Sequence, residues 1–432
     1  MRYCSGRSRV SAVRHPENVL QKPVPASGNE FTGGFFMNAV IMWIMAAGAV
    51  IGGIDRIMGN RLGLGRRFEE GFELLGATAL SMAGIICLVP LLSKALRLAV
   101  VPVWTALGLD PAMLGGIIAI DMGGFQLAQE LAQSSSVASY SGIIVAATFG
   151  CTVSFTIPVG MGRMDKEARS SGSSRKTAPA PSSDRSAFAR GIPAPDVPDG
   201  ANPVSTDRSA FARGILAGLG TLPAALLLGG CLCGIAPGRV LLQSLPVFVL
   251  SLCLILGIWK KPDAMVRGFL VFAGAIRTLS TIGLIIGAVG YMTGFSLFTD
   301  MTPLEDAMKI VSSIGIVMLG SLPVAELLQR LLRRPMTWVG RMTGMNTASI
   351  TGLLIGSVSV VPAIAMIPEM DERGKVVCSA YLVCAASALA AHLGFTFDAA
   401  PELVVPLLLV KFAGGICGAL AALAMTRNGS EC

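Results

Sequence analysis

The chain has 432 residues, of which 53% are hydrophobic, 14% charged and 6% aromatic, with a formal net charge of +8. A soluble domain carries roughly 25% charged residues, so this chain lacks the polar surface to coat a water-soluble globule, and its mean hydropathy of +0.68 agrees. Fibrous, nucleic-acid-binding and disulfide-scaffold classes fall away. The positive charges sit in short segments between apolar runs, and most of the ten cysteines lie inside apolar stretches with no metal-ligand spacing.

Residues 1–36 are polar and basic in their first thirty positions and read as an extension ahead of a start at Met37. The first apolar run is Met37–Ile54, too long for a signal peptide. Uncharged runs able to cross a bilayer, which takes about 20 residues, follow at Leu74–Ser93, Leu131–Gly162, Gly214–Gly238, Val240–Trp259, Thr278–Thr299, Met342–Pro368 and Val376–Phe397. Ile310–Leu332 tolerates Glu326, Leu403–Met425 tolerates Lys411, and Ala112–Leu131 contains Asp121 before Gly123–Gly124. These make about eleven apolar segments. The expected fold is an all-α polytopic membrane protein with a first membrane half over 37–163 and a second over 214–426.

Between the halves, 164–213 is rich in Ser and Pro and holds eight basic and six acidic residues. Such a stretch is expected to stay disordered as a cytoplasmic linker. It carries a local duplication, SSDRSAFARGI at 182–192 and STDRSAFARGI at 205–215.

A longer-range repeat relates the halves. GLDPAMLGG (108–116) and GMNTASITG (344–352) stand 236 residues apart, as do FEEGF (68–72) and LEDAM (304–308). Basic clusters lie at Arg56/Arg61/Arg66/Arg67, in the linker, at Lys260/Lys261/Arg267 and at Arg330/Arg333/Arg334/Arg341. All share one face only if 112–130 and 347–367 dip in and return, giving roughly nine crossings plus two re-entrant segments. The halves are then inverted copies, a common construction in secondary transporters.

The candidate site is the string IDMGGFQLAQEL, 120–131. A carboxylate inside an apolar segment is costly unless it is neutralised or lines water, so Asp121 is a functional candidate. Gly123 and Gly124 weaken the helix and favour a break that bares carbonyls toward a cation. Phe125 offers a π-face to an ammonium, Gln126 a partner for a hydroxyl, and Glu130 a second acid. Together they describe a pocket for a small organic cation. Thr152, Ser154, Thr156 and His392 are candidate path-lining residues; back-bonding of the hydroxyls to their own helix is the plainer alternative. The sequence holds no P-loop, HExxH or GxSxG string, so ATP-driven and hydrolytic chemistry are not expected, nor is any cofactor or bound metal.

Seven strings carry a resemblance to the ethanolamine utilisation transporter family: IDRIM (54–58), FEEGF (68–72), DMGGFQLAQEL (121–131), FTIPV (155–159), LGSLPV (319–324), MDERGKV (370–376) and AHLGF (391–395). They occur in family order between Met37 and about Met425. Two departures are Ala391, where the family tends to carry an Asp, and Val358–Ser359, where it tends to carry asparagines. The resemblance implies a multi-pass protein of the bacterial cytoplasmic membrane that takes up ethanolamine for catabolism. Its partners would be that small cation, the lipid bilayer and possible further copies of itself. A permease for another small amine is the alternative within transport; a non-transporting receptor or assembly factor is the alternative of another class.

Overall fold

The computed structural model describes residues 32–118, 123–164 and 203–427, and every regular element among them is helical. The first half contains α1 (Thr32–Ile57), α2 (Leu64–Ala99), the short α3 (Val101–Ala106), α4 (Met113–Ile117), α5 (Gly124–Leu131), α6 (Ser135–Met164) and α7 (Pro203–Leu232). A single helix, α8 (Pro237–Lys260), leads to the second half. That half contains α9 (Pro262–Thr293), α10 (Leu304–Thr343), α11 (Thr347–Gly356), α12 (Val360–Ala365), α13 (Glu372–Ala385), α14 (Ala391–Ala399) and α15 (Val404–Arg427). Eight of these helices are long and apolar enough to span a bilayer. With the interrupted α13–α14 as a ninth apolar path, the chain is an all-α polytopic membrane protein.

Two helical groups make up the body. α1, α2, α9 and α10 pack on one another, while α6, α7, α13 and α15 form the second group. In the first group, helices approach through small residues: Gly84 of α2 rests on the backbone of Ser280, and Gly283 of α9 rests on that of Gly84. Small residues allow such backbone contact, which gives dispersion where lipid removes the hydrophobic drive for helix association. α8 bridges the groups through α7 and α9.

The 236-residue repeat is visible in the backbone. α1 ends at Ile57 and α9 at Thr293; α5 begins at Gly124 and α12 at Val360. Gly108 and Gly344 share left-handed φ angles of 73° and 72°, a conformation that disfavours any side chain with a Cβ. Each glycine turns the chain into a pair of short helices, α4–α5 or α11–α12, in place of a straight crossing.

Both short pairs are hairpins clasped at their bases. Oδ1 of Asp110 accepts from the amides of Ala112 (3.0 Å) and Gln133 (3.1 Å), and Gln243 of α8 holds the Asp110 amide at 2.8 Å. In the second half, Oδ1 of Asp371 accepts from the Asn346 amide (2.9 Å) and the Ser349 hydroxyl (2.6 Å), while Asn346 Nδ2 donates to the Glu369 carbonyl. The single run expected over Met342–Pro368 is therefore the end of α10 followed by a hairpin. Val376–Phe397 is likewise two helices, parted at 386–390, where Ser387 takes a φ of +53°.

Ion pairs gather the basic clusters at one end. Arg67 meets Glu326 at 3.0 Å and Arg330 donates to the Leu62 carbonyl at 2.8 Å, joining the clusters at 56–67 and 330–341. Arg208 pairs with Asp263 and Lys375 with Asp207. Lys94, near the other end of α2, pairs with Asp300 in the acidic loop before α10.

Two sequence expectations need correction. Residues 165–202 lie outside the described residues, as do 1–31 and with them most of the N-terminal extension, but the last part of the expected linker is helical. α7 begins at Pro203 and includes the second copy of the duplicated string. Phe211 there is fully buried and Asp207 reaches Lys375 at 2.5 Å, so tertiary partners overrule the polar composition. The membrane helix that follows the linker thus begins before 214, at Pro203. The run expected at Thr278–Thr299 is also displaced, because α9 starts at Pro262 and stops at Gly294, whose φ is +70°.

Candidate functional site

Three helix interruptions converge between the two helical groups. The first separates α4 from α5, the second is Ser357–Ser359 between α11 and α12, and the third is 386–390 between α13 and α14. Hydrogen bonds tie the second to the third: the Ser387 amide donates to the Gly356 carbonyl at 3.0 Å and the Leu389 amide to that of Ser357 at 2.9 Å. Ser357 Oγ and Tyr381 Oη lie 2.7 Å apart at the same junction. The first interruption reaches the third through aromatic rings: Phe125 of α5 and Phe395 of α14 stand 5.8 Å apart at 81°, an edge-to-face pair.

α6 is the wall behind the first hairpin. Over Tyr140–Gly150 and Thr152–Thr156 it winds wider than an α-helix, with hydrogen bonds five residues apart; such stretches are rare and recur at functional sites. Gly142 lies against the Phe125 ring, and Ser141 Oγ links the Gly116 amide to the Ala112 carbonyl. Gly115 and Gly124 touch backbone to backbone, so neither hairpin arm has room for a side chain there.

The sequence candidates separate on this frame. Asp121 lies outside the described residues, together with Ala119, Ile120 and Met122. Gly123 and Gly124 are buried, and they open α5 directly after the first interruption. Phe125 and Gln126 are half-buried; among the described residues the buried Gln126 Oε1 accepts no hydrogen bond. An amide oxygen left unpaired in an apolar surround costs about 1–3 kcal/mol, which a ligand hydroxyl would relieve. Glu130 is exposed at the far end of α5, where its main-chain carbonyl receives Arg97, so it is not brought to the interruption.

The path candidates divide similarly. Thr152 donates to the Val383 carbonyl at 2.7 Å and joins α6 to α13, a structural task. Ser154 bonds back to Gly150 of its own helix at 2.8 Å. Thr156 is fully buried with its hydroxyl unpaired among the described residues. His392 is buried in the first turn of α14, with Nδ1 3.4 Å from the Ser387 carbonyl. Among the described residues no cluster of His, Cys, Asp and Glu is placed to hold a metal ion.

Three contributors escape a sequence reading. Phe395 looks like any aromatic in an apolar run, and nothing local marks Ser387 for positive φ. Lys411 does leave a signal, a lone lysine in a 24-residue apolar helix. Its side chain is 0% exposed and Nζ donates to the Ala147 carbonyl of α6 at 2.5 Å.

A family model described as ethanolamine utilisation protein, EutH, matches residues 37–172 and 204–425 and passes over the middle of the Ser/Pro-rich linker. The probable ethanolamine permease EutH of Listeria monocytogenes serotype 1/2a (strain 10403S) is 33% identical over 88% of this chain and 92% of its own. The probable ethanolamine permease EutH of Escherichia coli (strain K12) is 30% identical over 88% and 93%. The uncharacterized protein YxeR of Bacillus subtilis (strain 168) is 32% identical over 90% and 95%. No solved structure matches the chain. With a family match across both membrane halves and relatives aligned over nearly their whole length, the chain belongs to the EutH family of ethanolamine utilisation proteins.

Proposed function

We propose that this protein carries ethanolamine across the bacterial cytoplasmic membrane as a facilitator or secondary transporter, with the end bearing the basic clusters in the cytoplasm. The observation that carries the reading is the meeting of three interrupted helices between two helical groups, with Gly123–Gly124, Phe125 and Gln126 at one of them. Interrupted helices at mid-membrane supply backbone dipoles for a charged guest without exposing loops to lipid. The relatives named as probable ethanolamine permeases support the substrate.

In this reading Asp121, two residues before Gly123, neutralises the substrate ammonium. The Phe125 face adds cation–π attraction of about 0.5–2 kcal/mol, and Gln126 Oε1 accepts the hydroxyl proton. Neutral ethanolamine crosses bilayers unaided, so the carrier acts on the protonated form that prevails at low pH. Uptake of labelled ethanolamine into proteoliposomes at acidic pH is the test, with and without proton and sodium gradients. Uptake is expected to saturate and to vanish in Asp121→Asn while membrane insertion persists. Wild-type vesicles no more permeable than empty ones overturn the function, and full uptake by Asp121→Asn overturns the site. Competition by choline, serinol and propanolamine separates ethanolamine from other small amines.

A further inference from the structure

The Lys411 side chain is fully buried on α15, and it donates to a main-chain carbonyl of α6. Its surroundings locate it between two of the helix interruptions. The carbonyl belongs to Ala147, whose neighbour Ala146 packs against Gly124, the first residue of α5. One turn further along α15, Gly414 and Gly415 press on Cys384 and Ala385, the last two residues of α13 before its break. An ammonium is therefore built in beside the helix interruptions proposed to receive an ammonium. Placing a charged side chain at such depth is costly, and an ionisable residue there is a functional candidate rather than packing.

Resting on the transport reading above, we propose that Lys411 is a tethered stand-in for the substrate: its ammonium occupies the cation acceptors of the empty carrier and yields them when the organic ammonium arrives. A primary amine cation and the lysine head are the same chemical group, with three N–H donors each. A carrier that returned with its cation acceptors empty would leave them buried and unpaired inside the protein, which is costly. The lysine covers them during the return. No proton transfer is needed, because the substrate brings its own charge and the tether only swings aside.

The two half-cycles separate experimentally. Reconstituted wild-type protein, Lys411→Met and Lys411→Arg are compared for net uptake of labelled ethanolamine into unloaded vesicles and for exchange into vesicles preloaded with unlabelled ethanolamine. Exchange never requires the empty carrier to return. For Lys411→Met the expected result is exchange within about threefold of wild type and net uptake reduced about tenfold or more; Lys411→Arg stays near wild type in both. Equal loss of both activities, or retention of both, overturns the proposal, because a purely structural lysine cannot split them. If Lys411→Met does not reach the membrane, Lys411→Gln serves as the neutral variant, and failure of both to insert also overturns it. Absence of wild-type uptake is visible in the control alone, and it counts against the transport reading instead.

Discussion

The ring of Phe125 stands edge-to-face against that of Phe395, 5.8 Å away, and so joins a hairpin of the first half to the interrupted α13–α14 of the second. This contact joins the two repeats beside the proposed site. Phe395→Ala is expected to cost about 3–5 kcal/mol as a core truncation and to reduce ethanolamine uptake more than tenfold. Phe395→Leu keeps most of the volume and should cost less. Thermal unfolding in detergent and vesicle uptake read the two effects separately.

The hairpin clasps differ in how much of each carboxylate they use. Both oxygens of Asp371 accept hydrogen bonds, whereas the buried Oδ2 of Asp110 has no partner among the described residues. An amide retains one acceptor oxygen. Asp110→Asn is therefore expected to cost under about 1 kcal/mol, and Asp371→Asn about 1–3 kcal/mol, the range for leaving a buried donor unsatisfied. Equal losses of stability in the two variants contradict this reading of the clasps.

Gln243, which holds the first clasp, follows the C-terminal end of α7, whereas Lys375 beside the second clasp pairs with Asp207 at the start of α7. In the proposed inverted arrangement the clasps therefore face opposite sides of the membrane. In a background without native cysteines, Ser135→Cys is expected to react with an impermeant maleimide on intact cells. Thr347→Cys should react only after permeabilisation. Both residues are exposed at hairpin bases, so labelling of both from one side refutes the inverted arrangement.

Lys375 and Asp207 form a close pair with side chains only 10% and 12% exposed. Removing Lys375 leaves the Asp207 carboxylate uncompensated, which typically costs about 3–5 kcal/mol, whereas removing Asp207 leaves Lys375 its second partner, Glu372, at 2.7 Å. Lys375→Met is expected to lower thermal stability strongly and Asp207→Asn less, because Glu372 still meets the lysine. The double variant is expected to recover much of the Lys375→Met loss. Additive losses in this double-mutant cycle show that the pair is not coupled.

The all-helical membrane class and most of the long apolar helices were legible because lipid imposes long apolar runs. Gly123–Gly124 marked the place where a helix begins, since α5 opens at Gly124. The third interruption was hidden: Ala386–Ala390 is as apolar as its flanks, and its bend depends on bonds from Ser387 and Leu389 to another hairpin. The start of α7 was hidden for the same reason, since Asp207 and Arg208 look like linker residues until Lys375 and Asp263 are beside them. Glu130 was drawn into the candidate site by sequence proximity, but α5 carries it to an exposed end.

The paired glycine turns at Gly108 and Gly344 carry a thermodynamic corollary. In the proposed inverted arrangement, the two copies of the motif present near-equivalent locks to the outside and the inside. Its architecture builds in no bias for the sense of traffic. Under the facilitator form of the proposed function, flux would follow supply and demand, inward while the cell consumes the substrate and outward once the interior pool outgrows the exterior.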